Sequence, residues 1–181
     1  MKYNPKIHHR RSIRLKGYDY TRDGYYFITL CEQNREHLFG EIARGVMRRN
    51  HFGDIVADCW QWLAEQYPYV VLDEWVVMPN HHHGILVLTG ETGMGGESRL
   101  GLDGSQTAPG AVKRKPLGRL IGAFKTISTK RVNEIRKTPG AKLWQRDFYE
   151  HIIRNESDLN RIRQYIRNNP MNWQSDSLFP K

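Results

Sequence analysis

Residues 69–89, YVVLDEWVVMPNHHHGILVLT, hold two apolar runs on either side of Pro79-Asn80. Both runs are rich in β-branched residues, and a Pro-Asn pair turns a chain. The stretch therefore predicts strands over 69–79 and 83–89, paired as a hairpin. Three adjacent histidines, His81, His82 and His83, stand where the second strand begins. Side chains alternate across a strand, so His81 and His83 share one face and His82 takes the other.

Outward from this hairpin, YYFITLCEQ (25–33) is aromatic and β-branched and predicts a first strand. HFGDIVADCWQWLAEQYP (51–68) carries Ile55, Val56, Cys59, Trp60 and Leu63 at helical spacing, with Pro68 at its exit. PLGRLIGAFKTISTKRVNEIR (116–136) opens with proline at a helix start and has an apolar face from Leu117 to Ile135. KLWQRDFYEHIIR (142–154) fits either a short strand joined to irregular chain or a helical turn. SDLNRIRQYIRNNP (157–170) predicts a helix with Ser157 as N-cap, Leu159, Ile162 and Ile166 inside, and Pro170 as stop. The order β-α-β-β-α-(β)-α predicts an α+β fold. It is a ferredoxin-like split βαβ with an antiparallel sheet, helices packed on one face and an added C-terminal helix. One domain over 1–181 is expected, with a basic N-terminal arm (1–20) and a flexible Gly-rich loop (90–112).

The chain carries 28 Lys and Arg against 19 Asp and Glu, a formal charge of +9. The charge is clustered, in the arm (Arg10, Arg11 and Arg14 among others) and again over 113–137. Two such clusters are the electrostatic footprint of a polyanion partner; the plainer reading is a solvated face. Cys31 and Cys59 form no spaced framework and are expected as reduced thiols. Residues 1–20 lack the apolar core of a signal peptide, and no run reaches membrane-span length. A cytoplasmic, nucleoid-associated protein without a membrane partner is expected.

Two imidazoles on one strand face can share a divalent ion, if a third ligand and open positions are supplied. The other reading is turn histidines bonded to backbone or water. A structural zinc site would want a cysteine pair, and none accompanies the histidines. LWQRDFYEHIIR places Tyr149 beside His151 in a basic setting. A phenol with a pKa of about 10 is a poor nucleophile, but a neighbouring cation makes its phenolate accessible. Metal, tyrosine and basic surface together suit attack on a phosphodiester.

At MPNHHHGI and LWQRDFYEHIIR, with the opening RRSIRLKGYDY and the closing YIRNNP, the chain resembles the REP-associated tyrosine transposases. These are relatives of the single-tyrosine insertion-sequence transposases within the HUH endonuclease superfamily. The likeness spans nearly the whole chain except 90–110. The middle residue of the histidine triplet is usually bulky and apolar in that family, and here it is His82.

The resemblance implies that His81 and His83 bind Mg²⁺ or Mn²⁺ and that Tyr149 attacks phosphorus in line. A 5′-phosphotyrosine and a free 3′-hydroxyl result, and reversal gives strand transfer without ATP. Imidazole ligands favour Mn²⁺ over Mg²⁺. Tyr165 is the rival nucleophile, one helical turn before Asn169, which could reach a metal. His151 is open as a ligand, a proton acceptor or a structural histidine. The implied partner is single-stranded or hairpin DNA of REP type. Arg119, Lys125, Lys130, Arg131, Arg146 and Arg154 would meet phosphates, and Arg10, Arg11 and Arg14 would reach flanking bases. Trp144 and Trp173 either stack on unpaired bases or fill the core. Other readings are a replication initiator or relaxase, which carry longer chains, and a non-catalytic hairpin-binding or regulatory protein. A small RNA-binding domain would need exposed aromatics on its central strands, which FITL and ILVL lack. Monomer and homodimer both remain open.

Overall fold

A computed structural model describes residues 15, 17–90 and 114–179. Arg10, Arg11 and Arg14, and all of the Gly-rich loop but Gly90, lie outside the described residues. The elements run β1 (Gly24–Cys31), β2 (Gly40–Ala43), β3 (Val46–Arg49), α1 (His51–Gln66), β4 (Val70–Val77), β5 (His81–Leu88), α2 (Leu117–Arg136), β6 (Tyr149–Ile153) and α3 (Glu156–Asn168). A short 3₁₀ turn at Trp173–Ser175 follows. The main sheet has the order β4-β5-β1-β6, antiparallel throughout. With α1 and α2 as crossovers, this is the expected split βαβ arrangement.

The sheet is covered on both faces. Tyr26, Ile28, Leu30, Leu86 and Leu88 point into the larger core with α1 and α2, around Trp60 and Phe124. Phe27, Ile85 and Val87 point the other way, against Leu159, Ile162 and Ile166 of α3. Central β5 is therefore buried at all eight positions, which is why it reads as a continuous apolar run after the histidines. Its ladder with β1 continues as far as Cys31↔His81, so the histidines are the first three residues of the strand, as expected, and all three are paired with β1. Met78 N–H donating to the His81 carbonyl at 2.8 Å closes the hairpin at Pro79-Asn80.

Local chemistry sets the helix ends. Asn50 caps α1, its side chain accepting from the N–H groups of Phe52 (3.0 Å) and Gly53 (3.1 Å). Asn155 caps α3, accepting from Asp158 N–H at 2.8 Å; Ser157, the expected cap, is already helical. The helix starts earlier because Asn155 is the last extended residue after β6. Arg163 and Arg167 of α3 pair with Asp73 and Glu74, where β4 shifts register between Leu72 and Trp75. Those pairs tie the helix to the far edge of the sheet. The segment 142–148 is irregular before β6, its path fixed by Gln33 N–H to Leu143 O (2.8 Å) and Gln145 N–H to Cys31 O (3.0 Å). The β2–β3 hairpin was not foreseen; it turns on Arg44 and Gly45, both at positive φ (54° and 74°).

Candidate active site

The face of the sheet under α3 gathers the chemically interesting groups. His81 and His83 both point there, with ring centroids 4.5 Å apart. Pairing with β1 puts His83 beside Thr29, and its Nδ1 lies 2.8 Å from Thr29 Oγ1. Its other nitrogen, Nε2, is 3.2 Å from the Tyr165 hydroxyl on α3. Phe27 stacks on the His83 ring at 5.5 Å and meets Tyr165 edge-on at 6.0 Å.

His81 is held through the turn before it. The Asn80 amide nitrogen donates to the carbonyls of Arg35 (3.1 Å) and Leu178 (2.9 Å). Its oxygen therefore faces His81 Nδ1, at 2.7 Å, and accepts the proton there. The Nε2 of His81 is left as a bare acceptor, buried and without a partner. Asn169, one turn beyond Tyr165, is 2% exposed. Its nitrogen donates to Asp176 Oδ2 at 2.9 Å, and its oxygen is likewise buried and unpartnered. One ligand atom each from His81, His83 and Asp176 lie within 4.8 Å of one another.

Two unpartnered acceptors here, His81 Nε2 and Asn169 Oδ1, are what a cation would satisfy, and a buried unpaired polar atom otherwise costs about 1–3 kcal/mol. The protonation states agree with this. Burial, with the nearby His82 charge second, pushes His81 down to about 3. Burial and then His81 push His83 well below its ordinary value. Both are neutral imidazoles near pH 7, the form that ligates metals. Two imidazole nitrogens, an amide oxygen and a carboxylate oxygen form a donor set that fits Mn²⁺ and admits Mg²⁺. Asn80 and Thr29 act on the far nitrogens of the two rings, the usual way of orienting ligating histidines.

Tyr165 and Tyr149 line the same cleft of about 650 Å³, with His83, His151 and Arg161. Their relation to the histidines differs. Tyr165 touches His83, whereas among the described residues no hydrogen bond joins Tyr149 to either histidine. Tyr149 is exposed on β6, its ring 6.1 Å from Phe27. Burial, followed by the Asp176 charge, raises the Tyr165 phenol above its ordinary value. His151 stands away from the acceptor cluster, with Nε2 2.7 Å from Asp158 Oδ2, and Arg161 also pairs with Asp158.

The basic residues separate in the same way. Lys125 is half-buried, and its ammonium donates to the carbonyls of Gln145 (2.8 Å), Arg146 (3.1 Å) and Asp147 (3.3 Å). Burial lowers it to about 8, so it is a brace for the cleft wall and not a free phosphate contact. Arg119, Lys130, Arg131, Arg146 and Arg154 are exposed. Trp144 is buried with Nε1 donating to Ser128 Oγ at 2.9 Å, and Trp173 is buried 5.7 Å from the His81 ring. Neither indole face is open to a base. His82 lies on the opposite side of the sheet, against Trp60 at 4.4 Å and Phe124 at 5.8 Å. Asp176 and Asn80 escaped the sequence reading: Asp176 sits in irregular chain after α3, where no periodicity flags it, and Asn80 reads simply as a turn residue.

The fold is shared with a solved transposase. The structure superposes on a REP-associated tyrosine transposase solved with a REP hairpin, with a TM-score of 0.59 and 19% identity over 91% of this chain and 74% of that one. A Deinococcus radiodurans protein provisionally described as a transposase aligns over 87% of this chain and 97% of its own at 20% identity, but its TM-score of 0.47 adds no weight. In sequence, the chain is 41% identical over 182 residues to an uncharacterized protein of Haemophilus influenzae Rd, covering 98% of this chain and 97% of that one. The chain belongs to the family of that Haemophilus protein. No protein-family model matches it.

Proposed function

We propose that this protein is a divalent-metal-dependent endonuclease and strand transferase for single-stranded, hairpin-forming DNA, acting through a phosphotyrosine link. The observation that carries the reading is the convergence of ligand atoms from His81, His83 and Asp176, with the buried, unpartnered Nε2 of His81 and Oδ1 of Asn169, beside the Tyr165 hydroxyl. We take Tyr165 as the nucleophile in preference to Tyr149, because its phenol is the one in contact with the histidine pair.

His81, His83 and Asp176, with the Asn169 oxygen, would hold the ion. A bound divalent cation would supply charge to stabilise a scissile phosphate and to oppose the burial and Asp176 charge that raise the Tyr165 phenol. Tyr165 Oη then forms a bond to phosphorus as the bond to the 3′-oxygen breaks, leaving a 5′-phosphotyrosine and a free 3′-hydroxyl. His151, lining the same cleft and oriented by Asp158, would take the phenol proton through intervening water and return it to the departing oxygen. Arg161 stands at the cleft to meet phosphate charge. The link conserves the ester, so a 3′-hydroxyl can attack it in reverse. Arg119, Lys130, Arg131, Arg146 and Arg154 are the exposed cations available for backbone phosphates.

The test is incubation of the protein with a labelled DNA hairpin carrying single-stranded flanks and Mn²⁺, followed by a denaturing gel. A covalent adduct abolished in Tyr165→Phe and kept in Tyr149→Phe is expected. The reverse pattern makes Tyr149 the nucleophile. No adduct with the wild-type protein reduces the molecule to a hairpin-binding or regulatory role.

A further inference from the structure

On the side of the molecule away from the α3 face, a second and larger depression lies along the C-terminal half of α2. It has a volume of about 1270 Å³, between that helix and the segment 139–146. Small-molecule pockets run to about 300–1,000 Å³. This one exceeds that range, and its lining follows the helix from Lys125 to Lys137.

Its exposed charged side chains are mainly cationic, over a largely apolar floor that includes Leu143 and Trp144. Lys130, Lys137, Lys142 and Arg146 all contribute and all are exposed. The one acid among the described lining residues is Glu134, 4.0 Å from Lys130. The C-terminal end of a helix disfavours an anion by itself, so the charge here comes from side chains and runs against the helix dipole. The walls are fixed: Asn133 Nδ2 donates to Ala141 O at 2.7 Å, and Lys137 caps the helix in the left-handed region with φ of 55°. Lys130 and Lys137 are two turns apart, about 10 Å along the axis.

The depression also leads somewhere. Gln145 lines both it and the cleft that contains Tyr165, and the Lys125 brace secures the three carbonyls of the wall between them. We propose that this groove holds the phosphate backbone of the single strand that flanks the hairpin, with Lys137 and Lys142 as phosphate contacts, and feeds that strand past Gln145 to the nucleophile. The inference rests on the endonuclease reading for its direction, and on charge and continuity for its occupant.

The experiment measures the affinity of the full chain for two DNA probes across a range of salt concentrations, without metal. One probe is a blunt hairpin, and the other is the same hairpin with an oligothymidine tail. Each phosphate neutralised on a single strand contributes about 0.7 to the slope of log affinity against log salt. For the tailed probe, Lys137→Gln/Lys142→Gln is expected to lower the slope by about 1.4. For the blunt probe it should leave the slope as in wild type. Lys142→Glu, outside any helix, gives a second variant with the same direction should the helix cap be disturbed. Arg22→Gln, just before β1 and at the opposite end of that strand from Gln33 of the groove, is the control. An unchanged slope on the tailed probe, an equal fall on the blunt probe, or an equal fall in Arg22→Gln overturns the proposal. The adduct assay stands apart: a selective slope change without any adduct removes the endonuclease reading and keeps the groove, while an adduct with no slope change does the opposite.

Discussion

His82 and its two neighbours are chemically identical side chains placed in opposite surroundings. On the α3 face, His81 and His83 find oxygens to orient them. On the other face, both nitrogens of His82 are buried without a partner among Trp60, Trp75 and Phe124. Burial, then the His83 charge, lowers His82 from 6.5 to about 3. The unfolded chain therefore takes up a proton as pH falls below 6.5 that the folded chain refuses, and stability is lost from there down to about 3. Replacing His82 with Leu removes both the orphaned atoms and the titration. His82→Leu is expected to be neutral or stabilising at pH 7.5, and to gain about 2 kcal/mol more than that at pH 5. Urea unfolding at the two pH values checks this; an equal effect at both would show that His82 does not titrate on unfolding.

The alternation of faces at 81–83 could be read from the residues alone, because it needs nothing beyond a strand. The choice between Tyr149 and Tyr165 could not. Both are tyrosines near basic residues, and what separates them is which one the packing of Ile162 and Ile166 turns toward His83. Asp176 was invisible for the same reason: its role depends on a chain reversal after α3 that no local pattern announces.

Among the elements, the long periodic ones were legible and the short ones were not. The α1 and α2 spacings and the aromatic β1 run state their own type, since an apolar face of several turns has few alternatives. The β2–β3 hairpin has four-residue strands with mostly half-exposed or exposed side chains, too short for alternation to show. Segment 142–148 stayed ambiguous because its backbone partners come from β1 and α2, far away in sequence. The entry to α1 depends on a close approach that only the fold reveals. A Cβ at Gly53 would lie 2.2 Å from the Phe39 carbonyl oxygen, a backbone atom that cannot swing aside. Gly53→Ala, ordinarily favourable inside a helix, is expected here to destabilise by about 2 kcal/mol or more, within the upper range for overpacking. A denaturation midpoint at or above that of the wild type would mean the helix can shift to relieve the contact.

For the molecule as a whole, topology followed from element order, but the side on which α3 packs did not, and that side decides where the site is. If the acceptor cluster binds Mn²⁺, the ion stabilises the folded state by mass action. At a hundredfold excess over Kd the gain is about 2.7 kcal/mol, and for a chain of this length each kcal/mol moves Tm by about 2–4 °C. A rise of about 5–11 °C, reversed by chelation and absent in His81→Ala, is expected in a thermal melt. A rise that survives His81→Ala would place the ion elsewhere.

The histidines, Asn169, Asp176 and Tyr165 all belong to one polypeptide, and α3 is fastened by its arginines to the same sheet that carries the imidazoles. If the site works within one chain, a copy damaged at His83 and a copy damaged at Tyr165 each lack something the other cannot lend. In genetic language, two such alleles would then fail to complement, whereas exchange of α3 between copies would let them.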